Sequence, residues 1–204
     1  TYAFRDKERL AMTHLISKSQ MHEDIKLKIV RDGKKQTIKI NIKPYVSLVP
    51  QSHYVKKPTY YIFGGLVFTV LSTDLLKSWG NRWWEKAPLA LNYYLIGSGQ
   101  LNDKKKGNLV TLLNVLPDDI NVGYHRYQNQ IITKINGMDI NSFEQFVELI
   151  DKVKAKEKYT IFETEVATRI ILDNTDIDNI DQKIISRNNI PAQYSQDVAA
   201  WLGK

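Results

Sequence analysis

The chain has 204 residues, a formal net charge of +7 and no cysteine, so one domain of roughly 100 to 150 residues fits with material to spare. Without cysteine there are no disulfides, no thiolate metal sites and no thiol nucleophile. No run is apolar enough over a sufficient length to span a bilayer, and no N-terminal signal pattern is visible. The pI near 9.3 invites a nucleic-acid reading, but no known nucleic-acid motif accompanies it. Basic charge by itself predicts only salt-sensitive association, and no nucleic-acid partner is expected.

From Glu8 to Ser17, the residues Leu10, Ala11, Leu15 and Ile16 fall at helical spacing and predict a helix. Asp24 to Asn41 predicts a hairpin: Ile25, Leu27 and Ile29 alternate with Lys26 and Lys28, Asp32-Gly33 makes the turn, and Ile38, Ile40 and Ile42 mirror the alternation. The lysines of this hairpin are those of a solvated sheet face. A helix and one hairpin leave an apolar face uncovered, and a two-stranded hairpin is marginal alone. Pro44, Pro50 and Pro58 then punctuate an aperiodic stretch expected to be an extended linker, residues 45–58.

Tyr60-Tyr61-Ile62-Phe63-Gly64-Gly65-Leu66-Val67-Phe68 is the most informative stretch. Paired glycines feeding an alternating apolar strand mark a tight turn or, alternatively, a nest of backbone amides that binds a carboxylate beside an open strand edge. Residues 72–107 interrupt the strand order and read as a helical insertion. Leu75, Leu76, Trp79, Trp83 and Trp84 have helical spacing, and a second helix is expected after Pro88, from Ala87 to Ile96. The tryptophans either pack the insertion onto its own domain or form an assembly surface, since Trp concentrates at interface centres.

Leu109 to Val115 predicts a strand, and Asn129 to Ile140 a hairpin turning at Asn136-Gly137. Ser142 with Gln145 forms a capping box for a helix whose apolar face is Phe143, Phe146, Val147, Leu149 and Ile150, closed by Lys154 to Lys158. Two strands follow, Tyr159–Glu163 and Arg169–Leu172, and then a helix capped by Thr175 with Ile177, Ile180 and Ile184 on one face. That face belongs either against its own domain or against a neighbouring subunit.

Glycine loop, strand, hairpin, capped helix and strand in this order match the PDZ arrangement. Gly64 to Ser72, Asn121-Val122-Gly123-Tyr124, Asn129-Gln130 through Asn136-Gly137, and Ile190 to Asp197 together resemble the second PDZ domain of Deg/HtrA (Do-like) serine proteases, in the branch typified by plant Deg enzymes. Phe4 to Arg9 resembles the entry to the last helix of the first PDZ domain in these proteases. The resemblance implies an α+β fold: a PDZ-like, partly open antiparallel barrel or sandwich with capping helices, preceded by part of another PDZ domain. Its divisions would be 1–44 (end of the first PDZ domain), 45–58 (linker), 59–174 (second PDZ domain) and 175–204 (helix and tail). The chain begins with Thr1, as a fragment or processed product would.

The resemblance also implies a peptide-binding loop and strand at Gly64, Gly65, Leu66, Val67 and Phe68, faced by Phe143, Val147 and Ile150 of the helix. Val67 stands where the familiar Gly-Leu-Gly-Phe loop has its second glycine. The implied partners are other subunits of the same protease, in which Trp79, Trp83 and Trp84 would form an interface, and unfolded protein or C-terminal peptides. No cofactor and no metal is implied.

A protease of this family needs a serine in a glycine-rich oxyanion loop, with a histidine and an aspartate on separate loops of a β-barrel. None of these is encoded. Ser98 is the only serine flanked by glycines, and it lies in the insertion. His14, His22, His53 and His125 are scattered without metal spacing. The residues therefore leave two classes open, a non-catalytic region of a protease and a stand-alone PDZ scaffold.

Overall fold

The structure, a computed structural model, describes residues 1–43, 47–51, 57–96 and 107–203. Ser98, His53 and Pro44 lie outside the described residues. Two compact units are present, Thr1–Val46 and Ser47–Lys204.

In the first unit, β1 (Tyr2–Arg5) and β2 (Glu8–Leu10) form a short antiparallel hairpin before α1 (Met12–Lys18). The helix expected from Glu8 thus begins four residues later. Backbone pairing of Tyr2 with Leu10 holds the first turn extended, and the Tyr2 hydroxyl meets His14 Nδ1 at 2.7 Å, tying the hairpin to the helix. The expected second hairpin is present as β3 (Asp24–Arg31) and β4 (Lys34–Asn41), in register from Asp24↔Asn41 to Arg31↔Lys34. Ile25, Leu27, Ile29 and Ile38 are only half-buried, and no described residue of this unit is fully buried.

The second unit is built on one open antiparallel sheet in the order β11-β10-β8-β7-β6-β5, with β9 paired to β8. The strands are β5 (Tyr60–Phe63), β6 (Leu66–Val70), β7 (Val110–Val115), β8 (Gln130–Ile135), β9 (Met138–Asp139), β10 (Tyr159–Thr164) and β11 (Arg169–Asp173). The sheet does not close into a barrel. Across one face lies α5 (Phe143–Lys156), whose start is fixed by Gln145 N–H donating to Ser142 Oγ at 3.1 Å. Phe143, Phe146, Val147, Ile150 and Val153 of α5 are buried with Phe68, Leu112, Ile135 and Phe162.

Side chains of a strand alternate between faces, so Ile131 points away from this core while Ile132 points into it. The outward face is not solvated. It is covered by α2 (Thr73–Lys77), α3 (Trp83–Lys86) and α4 (Leu89–Ile96), in a second core of Leu71, Leu76, Leu91, Tyr94, Leu109 and Ile131. The tryptophans do not share one continuous helix: Gly80 at φ +85° and Arg82 at φ +62° break it. Trp79 and Trp83 pack against the second core, while Trp84 is 51% exposed.

Leu48 and Val49 also belong to this second core, and Pro50 O accepts from the Thr73 backbone N–H at 3.0 Å. Residues 47–50, expected in an extended linker, are therefore part of the packed unit. The chain ends in α6 (Ile177–Arg187) and α7 (Gln196–Trp201). Thr175 does not cap α6: the capping position is Asp176, in the left-handed region at φ +63° and without a side-chain cap. Ile177 and Ile184 are buried, so the isoleucine face is covered by its own domain.

Candidate functional site: the glycine turn and its occupant

Phe63-Gly64-Gly65-Leu66 is a two-residue connection, as tight as the Asn136-Gly137 turn between β8 and β9. Gly64 at φ +56° and Gly65 at φ +76° form a two-residue hairpin loop of the kind that needs positive φ at both central positions. The loop joins β5 to β6 directly, in the register Tyr60↔Thr69, Tyr61↔Phe68, Ile62↔Val67 and Phe63↔Leu66. On its other side β6 pairs with β7, from Leu66↔Val115 to Val70↔Val110. The strand edge expected to be open at Leu66, Val67 and Phe68 is thus occupied on both sides. The strand that would receive an added peptide already carries β5, antiparallel, on that edge.

The residues expected to line the facing helix are likewise internal. Phe143, Val147 and Ile150 are fully buried, and the Phe68 ring lies 4.8 Å from that of Phe146 and 4.9 Å from that of Phe162. The structure brings Phe68, Phe143, Val147 and Ile150 together, but as one core.

Two side chains that the sequence reading did not single out for this role complete the glycine turn. Asn121 is fully buried; its Nδ2 donates to Gly64 O and Leu116 O, both at 2.8 Å, and its Oδ1 accepts from Asp118 N–H at 3.1 Å. Asp181 of α6 presents its carboxylate to the amides: Gly65 N–H donates to Asp181 Oδ1 at 3.4 Å, and Gln193 Nε2 donates to Asp181 Oδ2 at 3.0 Å. An amide nest suited to a carboxylate therefore holds one from the chain itself.

The outer edge of β5 is closed by the same segment. Ile62 N–H donates to Gln193 O at 2.9 Å, Ser195 N–H donates to Tyr60 O at 3.1 Å, and Tyr61 bridges Tyr194 with stacked rings. Gln193 Nε2 also donates to Ile62 O at 3.0 Å. One side chain thus ties β5 to Asp181.

Asp181 is 1% exposed, and burial pushes its carboxyl up to about 7 against the opposing pull of the Gly65 and Gly64 amides. The nearby cation Lys154 is committed to Asp178 at 2.7 Å. Burial, with the charges of Asp181, Asp151 and Asp178, raises the Tyr61 phenol above its ordinary range. A sequence signal for Asp181 exists: Ile177, Asp181 and Ile184 fall at the i, i+4, i+7 positions of one helix face, so an acid interrupts an otherwise apolar stripe. Among the described residues, no group of His, Asp or Glu side chains is placed to hold a metal ion.

A family model described as "PDZ domain" matches residues 49–197. The chain belongs to the PDZ domain family. The PDZ match takes in Leu48's neighbour Val49 at one end and the segment of Asp181 and Gln193 at the other. The putative protease Do-like 3, mitochondrial, of Arabidopsis thaliana is 29% identical over 96% of this chain and 32% of its own length. The protease Do-like 2, chloroplastic, of the same plant is 29% identical over 97% of this chain and 32% of its own. A serine protease DegP homolog of Plasmodium falciparum (isolate 3D7) is 28% identical over 74% of this chain and 16% of its own. The chain spans about a third of the length of the Arabidopsis relatives. No described helix is long and apolar enough to cross a membrane.

Proposed function

We propose that this chain is a non-catalytic PDZ region of a Deg/HtrA-like serine endopeptidase that serves assembly and gating of the enzyme, with its own peptide edge held shut. The whole enzyme would cleave unfolded or damaged protein without a cofactor, and other subunits of the same protease would be the direct partners of this region. The observation that carries the reading is the double pairing of β6, with β5 on one edge and β7 on the other. Strand addition needs a free edge, and the family loop here is followed by none.

A titration tests it. A short apolar peptide with a free C-terminal carboxylate, added to the isotope-labelled chain at pH 5.5, is expected to leave the amide signals of residues 64–70 unmoved, as is its C-terminal amide. Shifts there that depend on the carboxylate would restore Gly64, Gly65, Leu66, Val67 and Phe68 as an open peptide site, the mode also expected of a stand-alone scaffold.

The assembly surface proposed for the insertion rests on Trp84, which is half-exposed, and on Leu89 and Tyr93 of α4, which are 84% and 47% exposed. Trp79 and Trp83 support it from within by packing on the second core. Trp84→Ala is expected to weaken self-association, by about 2 kcal/mol if it is a hot spot, with the circular dichroism unchanged. Light scattering reads this, and an oligomer untouched by the change would return Trp84 to mere surface.

A further inference from the structure

Asn136-Gly137 is the one Asn-Gly pair in the chain, and it makes the two-residue turn from β8 to β9 with Asn136 at φ +46° and Gly137 at φ +77°. The turn is clasped to β10. Asn136 N–H donates to Ile161 O at 2.9 Å, Ile161 N–H donates to Asn136 Oδ1 at 2.7 Å, and Asn136 Nδ2 donates to Tyr159 O at 3.0 Å. The side-chain amide thus carries the pairing of β8 with β10 beyond its end at Phe162↔Ile135. We propose that Asn136 is a modification site whose reactivity the fold controls: the clasped side chain is inert, and opening of the turn lets it deamidate to an acid that can no longer close the clasp.

The chemistry needs only the neighbouring residue and water. Gly137 N, giving its proton to a solvent base, attacks Asn136 Cγ; a C–N bond forms, the Cγ–Nδ2 bond breaks, and ammonia leaves. Water then opens the cyclic imide at either carbonyl, giving aspartate or, where the chain now runs through Cγ, isoaspartate. Amide and water become acid and ammonia, and nothing is oxidised or reduced. Glycine hinders this attack least because it has no Cβ, and Gly137 is exposed, with nothing within 4 Å of where a Cβ would stand. The attacking nitrogen lies at an open surface.

In the closed turn the clasp blocks the attack. Cγ must swing toward the chain's own Gly137 N, and that rotation parts Nδ2 from Tyr159 O and Oδ1 from the Ile161 N–H. Only an opened turn reacts, so local unfolding sets the rate. The product does not return to the same geometry: an aspartate has no donor for Tyr159 O and sets a second acceptor against it, which is unfavourable. Isoaspartate adds a methylene to a backbone that must cross from Ile135 to Met138 in two residues. Each opening that reacts is recorded once and does not reverse.

Mass spectrometry of the full chain, incubated in oxygen-18 water either in buffer or in urea and then digested, reads the site. In urea, heavy oxygen is expected at Asn136 before any other asparagine, and in buffer at least about tenfold more slowly. Gly137→Ala should slow the reaction in urea, where no fold is at stake, because its Cβ shields the attacking nitrogen. Chains converted in urea and returned to buffer should exchange the Ile161 amide hydrogen faster than unconverted chains of the same sample. Equal rates in buffer and urea would show that the clasp does not protect the amide and would overturn the proposal. So would no preference for Asn136 in urea, an unchanged rate in Gly137→Ala, or equal exchange at Ile161 in converted and unconverted chains.

Discussion

Replacing Phe68 by alanine is expected to lower the unfolding free energy of the second unit by about 3–5 kcal/mol, the range for removing a buried aromatic ring from a packed core. The residue occupies a position that the family resemblance assigns to peptide contact, where truncation would weaken a ligand and spare the fold. In the structure it is fully buried, and its ring meets Phe146 and Phe162 within 5 Å. With a domain stability of roughly 5–15 kcal/mol, the loss would place much of the population near its unfolding midpoint at moderate denaturant. Urea unfolding followed by circular dichroism reads it. A change below about 1 kcal/mol would mean that Phe68 faces an open groove.

The second large effect is expected from Gly65→Ala. A Cβ at this position would lie 2.5 Å from Asn121 Nδ2 and 2.6 Å from Leu116 O, at a φ of +76°. The backbone strain costs about 1–3 kcal/mol, and forcing an extra carbon into packed surroundings adds about 1–3 kcal/mol. The crowding atoms include a backbone carbonyl and a side chain already holding Gly64 O and Leu116 O, so neither moves away freely. We expect about 2–6 kcal/mol in all. Gly137→Ala supplies the comparison: it has almost the same φ of +77° with nothing within 4 Å, and should cost only the strain, about 1–3 kcal/mol. Equal losses for the two glycines would show that the Asn121 contact does not constrain the turn.

Much of the second unit was legible in the sequence because its signals are local. The Asn136-Gly137 turn, the Ser142 cap, and the strands expected from Leu109, Tyr159 and Arg169 lie within a residue of where spacing and turn chemistry put them, while the Gln145 side chain accepts from Asn141 N–H and does not close the expected box on Ser142. The glycine pair was legible as either a tight turn or a nest, and the structure combines the two. What decides its chemistry is non-local: Asn121 and Asp181 reach it from 57 and 116 residues away in sequence. Periodicity within a window carries no information on contacts of that range.

The same limit explains the misplaced elements. Leu48 and Val49 look like linker because two apolar residues among prolines have no period, yet the insertion offers them a core. The helix expected over Glu8 to Ser17 lost its first turn to a backbone hairpin, which helical spacing of Leu10 and Ala11 does not register. In the insertion, Trp79 and Trp83 fit one helical face in sequence, but Gly80 and Arg82 in left-handed backbone divide it.

The central claim, that β5 fills the edge of β6 where a peptide would add, is tested most directly by cross-strand nuclear Overhauser effects in the free chain. The account predicts contacts between Tyr61 and Phe68 and between Ile62 and Val67, following the register of the hairpin, together with slow exchange of the β6 amides. Absence of those contacts, with rapidly exchanging amides from Leu66 to Val70, would show an open edge and contradict it.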